Sequence, residues 1–166
     1  MDKKLILVKM NGLALEYIPA IDQTEELCLE AVKNNGLALQ FAKIQTPTIC
    51  LEAVKQNGLA IHYVDTQTPE LCLEAIKQTG EALQYVIDQT TEICTFAINN
   101  NYNSIRYVIN QTNELCLLAI SKDILAFYEI RVRTPEICVA AVNKDSSVWN
   151  VITEQERQSM VDYMTQ

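Results

Sequence analysis

The chain predicts an all-α solenoid, built from 22-residue helix-turn-helix repeats that stack side by side as right-angled or steeper hairpins. Three columns of residues carry that expectation. The six cysteines fall at Cys28, Cys50, Cys72, Cys94, Cys116 and Cys138, an interval of 22 residues every time. A threonine precedes each cysteine by four, at Thr24, Thr46, Thr68, Thr90, Thr112 and Thr134. An alanine follows each by three, at Ala31, Ala53, Ala75, Ala97, Ala119 and Ala141. A period of this length, kept without insertion, marks an array in which each unit buries its apolar face against its neighbours.

Each unit reads as two helices. The first opens on the threonine, whose hydroxyl oxygen can accept from an orphan amide of the first turn. Pro47, Pro69 and Pro135 follow at N1, where the missing N–H costs nothing, and Glu70, Glu92 and Glu136 complement the positive helix end. Leu71, Cys72, Ala75 and Ile76 then recur at helical spacing. Gly36, Gly58 and Gly80 are expected to end the helix as left-handed C-terminal caps. The second helix is shorter, about two turns from Leu59 to about Val64, with Ala60, Ile61, Tyr63 and Val64 facing inward. Helices this short are marginal in isolation, so stacking must stabilise them. The alanine column, with a second one at Ala38, Ala60, Ala82 and Ala126, lets neighbouring helices approach closely.

Three segments of one continuous domain follow: a partial N-terminal repeat over 1–23, six repeats over 24–153 and a capping helix over 154–166. Leu5 to Ile18 match a truncated unit, with Val8, Lys9 and the run from Gly12 to Leu15 aligning on Val32, Lys33 and the run from Gly36 to Leu39. Two extra residues, around Pro19 and Ala20, separate it from the first full repeat. Thr153 and Glu156 form a capping-box pattern, and Met160 and Met164 fall in register with the Cys and Val columns. The motif drifts in later repeats, where Tyr102, Ile124 and Ser146 replace the capping glycine. Asn101 or Asp123 is expected to take the left-handed cap there.

Leu29 to Phe41, LEAVKNNGLALQF, and Leu51 to Tyr63, LEAVKQNGLAIHY, resemble a family of tandem helical repeats designated domain of unknown function 4116 (DUF4116). The likeness covers nearly the whole array and is clearest through Tyr85. It implies a setting in large DNA viruses of protists or in microbes, hence a viral or host-interaction role. It brings no activity and no catalytic residue to transfer.

Composition narrows the function classes. The net charge of −8 has the wrong sign for capture of a nucleic-acid backbone, so direct nucleic-acid binding is not expected and any charged partner should be basic. Leu5 to Val8, the longest apolar run near the N-terminus, is too short for a membrane span or a signal core. No membrane association is expected. Neighbouring cysteines should lie one helix spacing apart, about 8–10 Å, too far for a disulfide. There is no Cys-x-x-Cys, and His62 is the only histidine, so no zinc site is expected. The thiols read as small buried core residues in a reducing compartment, the cytoplasm. No cofactor is implied, and no nucleophile or phosphate-loop motif argues for an enzyme.

Two surfaces remain as candidates. Gln40, His62, Gln84, Arg106 and Tyr128 occupy one polar or amphipathic column whose identity changes at every repeat, and this column is the candidate partner-binding surface of a protein-interaction scaffold. Glu26, Glu70, Glu92, Glu114 and Glu136 form an acidic stripe. Helix-dipole complementarity explains that stripe without a partner. The alternative function is an acidic inhibitor that mimics nucleic acid and blocks a basic target. Duplex DNA carries a phosphate per about 3.4 Å of strand, against one or two charges per layer of about 10 Å here. Lys33, Lys55 and Lys77, three residues after Glu30, Glu52 and Glu74, should neutralise part of the charge. Tyr17, Phe41, Tyr63, Tyr85 and Tyr107 form an aromatic column expected to pack its rings in the core, with a ligand groove as the other reading.

Overall fold

A computed structural model describes residues 2–165, and the chain is all-α. Its contacts divide it into two compact units, Met1–Asp88 and Gln89–Gln166. Each unit is a stack of 22-residue repeats of the solenoid kind, without strands among the described residues.

The first unit holds α1 (Lys3–Met10), α2 (Glu25–Asn34), α3 (Pro47–Gln56) and α4 (Pro69–Gln78). The second holds α5 (Thr91–Asn100), α6 (Asn113–Lys122), α7 (Pro135–Lys144) and α8 (Glu154–Met164). All six threonines of the repeat column are N-caps, each hydroxyl accepting from the amide three residues on, as Thr68 does from Leu71 at 3.3 Å. The alanine column is fully buried throughout. All six cysteines are free and buried.

The short second helix of each repeat is a 3₁₀ helix, not a short α-helix: Gly36–Phe41, Gly58–Tyr63 and Gly80–Tyr85 in the first unit, Tyr102–Tyr107, Ile124–Glu129 and Ser146–Asn150 in the second. The glycines are not left-handed caps, since none of the described residues has a positive φ. The helix ends instead on Asn35, Asn57, Thr79, Asn101, Asp123 and Asp145, all in extended backbone with φ between −147° and −154°. Each of these caps two elements at once. Its N–H closes the α-helix, as Asn57 does onto the Ala53 carbonyl, while its side-chain oxygen accepts from the amide two residues later, as Asn57 does from Leu59. Asn101 and Asp123 therefore need no left-handed geometry. Glycine stands after the cap because the next repeat presses against it. A Cβ on Gly58 would lie 2.5 Å from the Ala75 carbonyl oxygen, and one on Gly36 would lie 2.3 Å from that of Ala53.

The residue that ties the repeats together precedes the threonine. In the first unit, Gln67 donates through Nε2 to the carbonyls of Ile61 and Tyr85, and its Oε1 accepts from the amide of Ile87. One side chain thus bridges the ends of two successive 3₁₀ helices. Gln23 does the same with Ile18, Phe41 and Lys43, and Gln45 holds the end of the following 3₁₀ helix at Tyr63 and Asp65. In the second unit, Gln89 holds Tyr107 and Ile109, and Gln111 holds Ile105, Glu129 and Arg131. The thiols of Cys28, Cys50, Cys72 and Cys94 sit 3.7–3.9 Å from the amide oxygen of the glutamine five residues before. Arg133 occupies this column in the last repeat, its guanidinium 4.3 Å from the Phe127 ring centre.

At the N-terminal end the truncated unit is nearly whole. The first repeat has both its helices, α1 and the 3₁₀ helix Gly12–Tyr17, so only the first two residues of its α-helix are missing relative to the ten of α2. The residues added after it form a separate turn of 3₁₀ helix, Ala20–Asp22. The capping box at Thr153 and Glu156 is formed and Met160 is buried, whereas Met164 is 70% exposed. Of the aromatic column, Phe41, Tyr63, Tyr85 and Tyr107 are only half-buried and Tyr17 is 79% exposed. The adjacent Leu39, Ile61, Leu83 and Ile105 fill the core instead.

Two outcomes follow for stability. Gln67→Ala removes three hydrogen bonds and should cost about 2–3 kcal/mol in urea unfolding, whereas Gln84→Ala, on an exposed side chain, should stay within about 0.5 kcal/mol. Burial also pushes every thiol of the column upward, Cys116 to about 11 from 9.0. An unfolded thiol ionises first, so stability present below pH 9 should fall as pH rises from about 9 to about 11. The urea midpoint of Cys116→Ala should fall less over that range than that of the unaltered chain.

Candidate functional site

Side-chain direction is set by the 3₁₀ helices. With three residues per turn, the core takes the third and fourth positions of each segment, such as Ala60 and Ile61, and the next position points to solvent. That next position is the candidate partner-binding column, and all five of its residues, Gln40, His62, Gln84, Arg106 and Tyr128, are exposed.

In the first unit the column is held by local contacts. Gln40 donates to the Leu37 carbonyl at 2.9 Å and Gln84 to that of Glu81 at 3.1 Å. Between them the His62 ring lies 4.9 Å from the Tyr63 ring and 4.4 Å from that of Tyr85. These contacts fix the ring orientations without hiding the column. Beside it opens a cavity of about 440 Å³, lined by Gln40, Lys43, Gln45, His62, Tyr63 and Asp65 together with Ala42 and Val64. Its lining is mostly polar and includes an ammonium, a carboxylate and an imidazole, a set suited to hydrogen-bonding a polar partner. Gln45 is already committed to Tyr63 and Asp65, so it shapes the cavity floor. A smaller cavity of about 180 Å³ lies along Pro47, Cys50, Thr68 and Leu71.

In the second unit Arg106 lies 3.5 Å from Glu129 and 5.8 Å from the centre of the Tyr107 ring. Tyr128 is 51% exposed and meets Phe127 edge-on at 6.0 Å. The Arg106–Glu129 pair is exposed enough to be worth no more than about 1 kcal/mol, leaving the guanidinium free to exchange partners.

The acidic stripe is present on both units. Glu26 and Glu70 on the first, and Glu92, Glu114 and Glu136 on the second, lie in the first turns of their helices and are exposed. The backbone N–H of Glu70 and the Thr68 hydroxyl hold the Glu70 carboxyl below its ordinary range, an intrahelical use of the charge. Glu136 accepts from the Asn113 amide at 3.1 Å. The lysine pairs form as expected, Lys33–Glu30 at 3.0 Å, Lys55–Glu52 at 3.7 Å and Lys77–Glu74 at 3.6 Å. The Lys33 hydrogen bond lowers the Glu30 carboxyl further. Partial neutralisation of the stripe is therefore built into the first unit.

Among the described residues, no group of three or more His, Cys, Asp or Glu side chains is gathered closely enough to hold a metal ion, and no helix is long and apolar enough to cross a membrane. The signal for the glutamine column in the sequence is a Gln-Thr dipeptide that opens five of the six repeats, at Gln23, Gln45, Gln67, Gln89 and Gln111.

Neither the curated proteins nor the solved structures contain a match to the chain. A family model, described as Domain of unknown function (DUF4116), matches it three times in tandem, over residues 4–45, 24–68 and 46–89. The matched stretches span all four α-helices of the first unit and every glycine of the repeat, and together they cover more than half of the sequence. The chain belongs to the DUF4116 family of helical repeats.

Proposed function

We propose that this chain is a non-catalytic scaffold that recognises a protein partner through Gln40, His62, Gln84, Arg106 and Tyr128. The observation that carries the reading is the division of labour within each repeat. Residues that hold the fold recur with little change: Thr at the N-cap, Gln between repeats, Cys and Ala in the core. One exposed 3₁₀ position changes its chemistry at every step, from amide to imidazole to amide in the first unit and from guanidinium to phenol in the second. A repeat scaffold presents a row of different groups in this way, and Arg and Tyr are favoured anchors of protein interfaces. The cavity beside Gln40 and His62 adds a polar recess for part of the partner.

A partner with basic groups fits the net charge of −8, and the six buried thiols fit a reducing compartment such as the cytoplasm, in a viral or host-interaction setting. The acidic-inhibitor reading draws on the same charge and on the exposed glutamates. It fits less well, because three of the neighbouring carboxylates are already paired with lysine.

Affinity capture with the chain as bait, followed by binding of the recovered partner to the quintuple alanine variant at positions 40, 62, 84, 106 and 128, tests the proposal. Affinity should fall about tenfold or more while the unfolding midpoint is kept. Unchanged affinity would overturn it. Binding that weakens steeply with salt and competes with DNA or RNA would favour the inhibitor reading instead.

A further inference from the structure

The outer face of the α-helices changes character between the two units. Sixth in each of α2, α3 and α4 stand Glu30, Glu52 and Glu74, each ion-paired to the lysine three residues later. The equivalent positions of the second unit hold Phe96, Leu118 and Ala140, and the lysines are replaced by Asn99, Ser121 and Asn143. Phe96 is 38% exposed, and Leu118 and Ala140 are half-buried. Because α5 packs on α6 and α6 on α7, these three side chains form an apolar row across three neighbouring helices. The row ends at α8, whose sixth residue is Ser159.

The charges around the row are arranged symmetrically about it. Four residues before each apolar position stand Glu92, Glu114 and Glu136, and four residues after stand Asn100, Lys122 and Lys144. Positions four apart share one helix face, so each helix presents acid, apolar and then basic or neutral groups along a single stripe. A two-fold axis lying along the row reverses the helix direction and keeps the stacking order. It brings Glu114 of one copy within reach of Lys122 of the other and Glu136 within reach of Lys144, with Phe96 and Leu118 each facing its own counterpart. Antiparallel helices also set opposite macrodipole ends together. The same operation on the first unit would press Glu30, Glu52 and Glu74 onto their own copies, which like-charge repulsion forbids.

We propose that the Phe96–Leu118–Ala140 row of the second unit is a self-association surface, on which a second copy of this chain docks by an isologous two-fold contact with antiparallel helices. It concerns a different face from the 3₁₀ column and stands apart from the partner-binding proposal. Three helices about 15 Å long, spaced about 8–10 Å apart, cover about 400 Å² per copy and about 800 Å² in total. Stable interfaces bury about 1,200 Å² or more, so this dimer is reversible and forms only at high protein concentration. Elsewhere the net charge of −8 keeps copies apart, which restricts close approach to this charge-balanced face.

Sedimentation velocity of the full chain, from about 10 µM to about 1 mM, tests the proposal. The weight-average sedimentation coefficient should rise with concentration toward that of a dimer. Leu118→Glu, which restores the chemistry of the first unit, should abolish the rise. Glu114→Lys should weaken association at least tenfold, and the double variant Glu114→Lys, Lys122→Glu should recover it, since the exchanged charges again meet across the axis. A helical circular-dichroism spectrum and an unchanged urea midpoint show that the single variant is folded. A chain that stays monomeric throughout, leaving the row to some other partner, overturns the proposal. So does association that survives Leu118→Glu, or a double variant that remains as weak as the single one.

Discussion

The amide of a glutamine, present in five of the six repeats, is the contact on which each unit rests. A 3₁₀ helix six residues long leaves its last carbonyls without partners inside the helix, and here those carbonyls lie at the seam between repeats. Gln67 supplies donors to Ile61 and Tyr85 and an acceptor to the amide of Ile87, so one side chain completes the ends of two helices. Each such bond contributes about 0.5–1.5 kcal/mol net, and leaving a buried group without one costs about 1–3 kcal/mol. Helices of ten residues are too short to stand alone, and the glutamines fix the spacing at which their Ala columns meet. The thiol five residues on fits against the amide oxygen and fills the space beneath it.

The glycines express the same constraint from the other side. Gly12, Gly36 and Gly58 lie so close to the next helix that a methyl group would meet the carbonyls of Ala31, Ala53 and Ala75. Gly12 and Gly36 also donate to side chains of that helix, Asn34 and Gln56, at 2.7 and 2.6 Å. Alanine on one surface and glycine on the other thus bring neighbouring repeats to a separation that the glutamine can span. In the second unit Tyr102 and Ile124 replace glycine and are half-buried, so the seam there accommodates a side chain.

Much of this was legible in the sequence, and the losses have physical causes. The 22-residue period, the Thr caps, the buried Cys and Ala columns and the capping box at Thr153 all follow from local chemistry, which acts over three or four residues and leaves a plain pattern. The 3₁₀ geometry does not, because the periods of 3.0 and 3.6 cannot be told apart over six residues. Glycine after a helix suggests a left-handed cap, yet its reason here is a contact with a residue 17 positions later, between Gly58 and Ala75. The glutamines leave no local mark for a similar reason: a polar residue beside an N-cap looks like a loop, and only the fold shows that it reaches a carbonyl 18 positions on. Of the candidate surfaces, exposure of the changing column was readable from its polarity. The apolar row at Phe96 and Leu118 needed the packing of α5 on α6 and α6 on α7, which puts the two side chains on neighbouring helices.

The glutamine account is tested most directly by native-state hydrogen exchange at the amides it claims. Lys43, Asp65, Ile87, Ile109 and Arg131 are all exposed residues in connecting segments, where amides ordinarily exchange freely. Each donates to a glutamine oxygen, at 2.8–3.0 Å. These five amides should exchange as slowly as those of the helix interiors, and the Ile87 amide should lose its protection in Gln67→Ala. Exchange of all five at the rate of an unstructured loop would contradict the account.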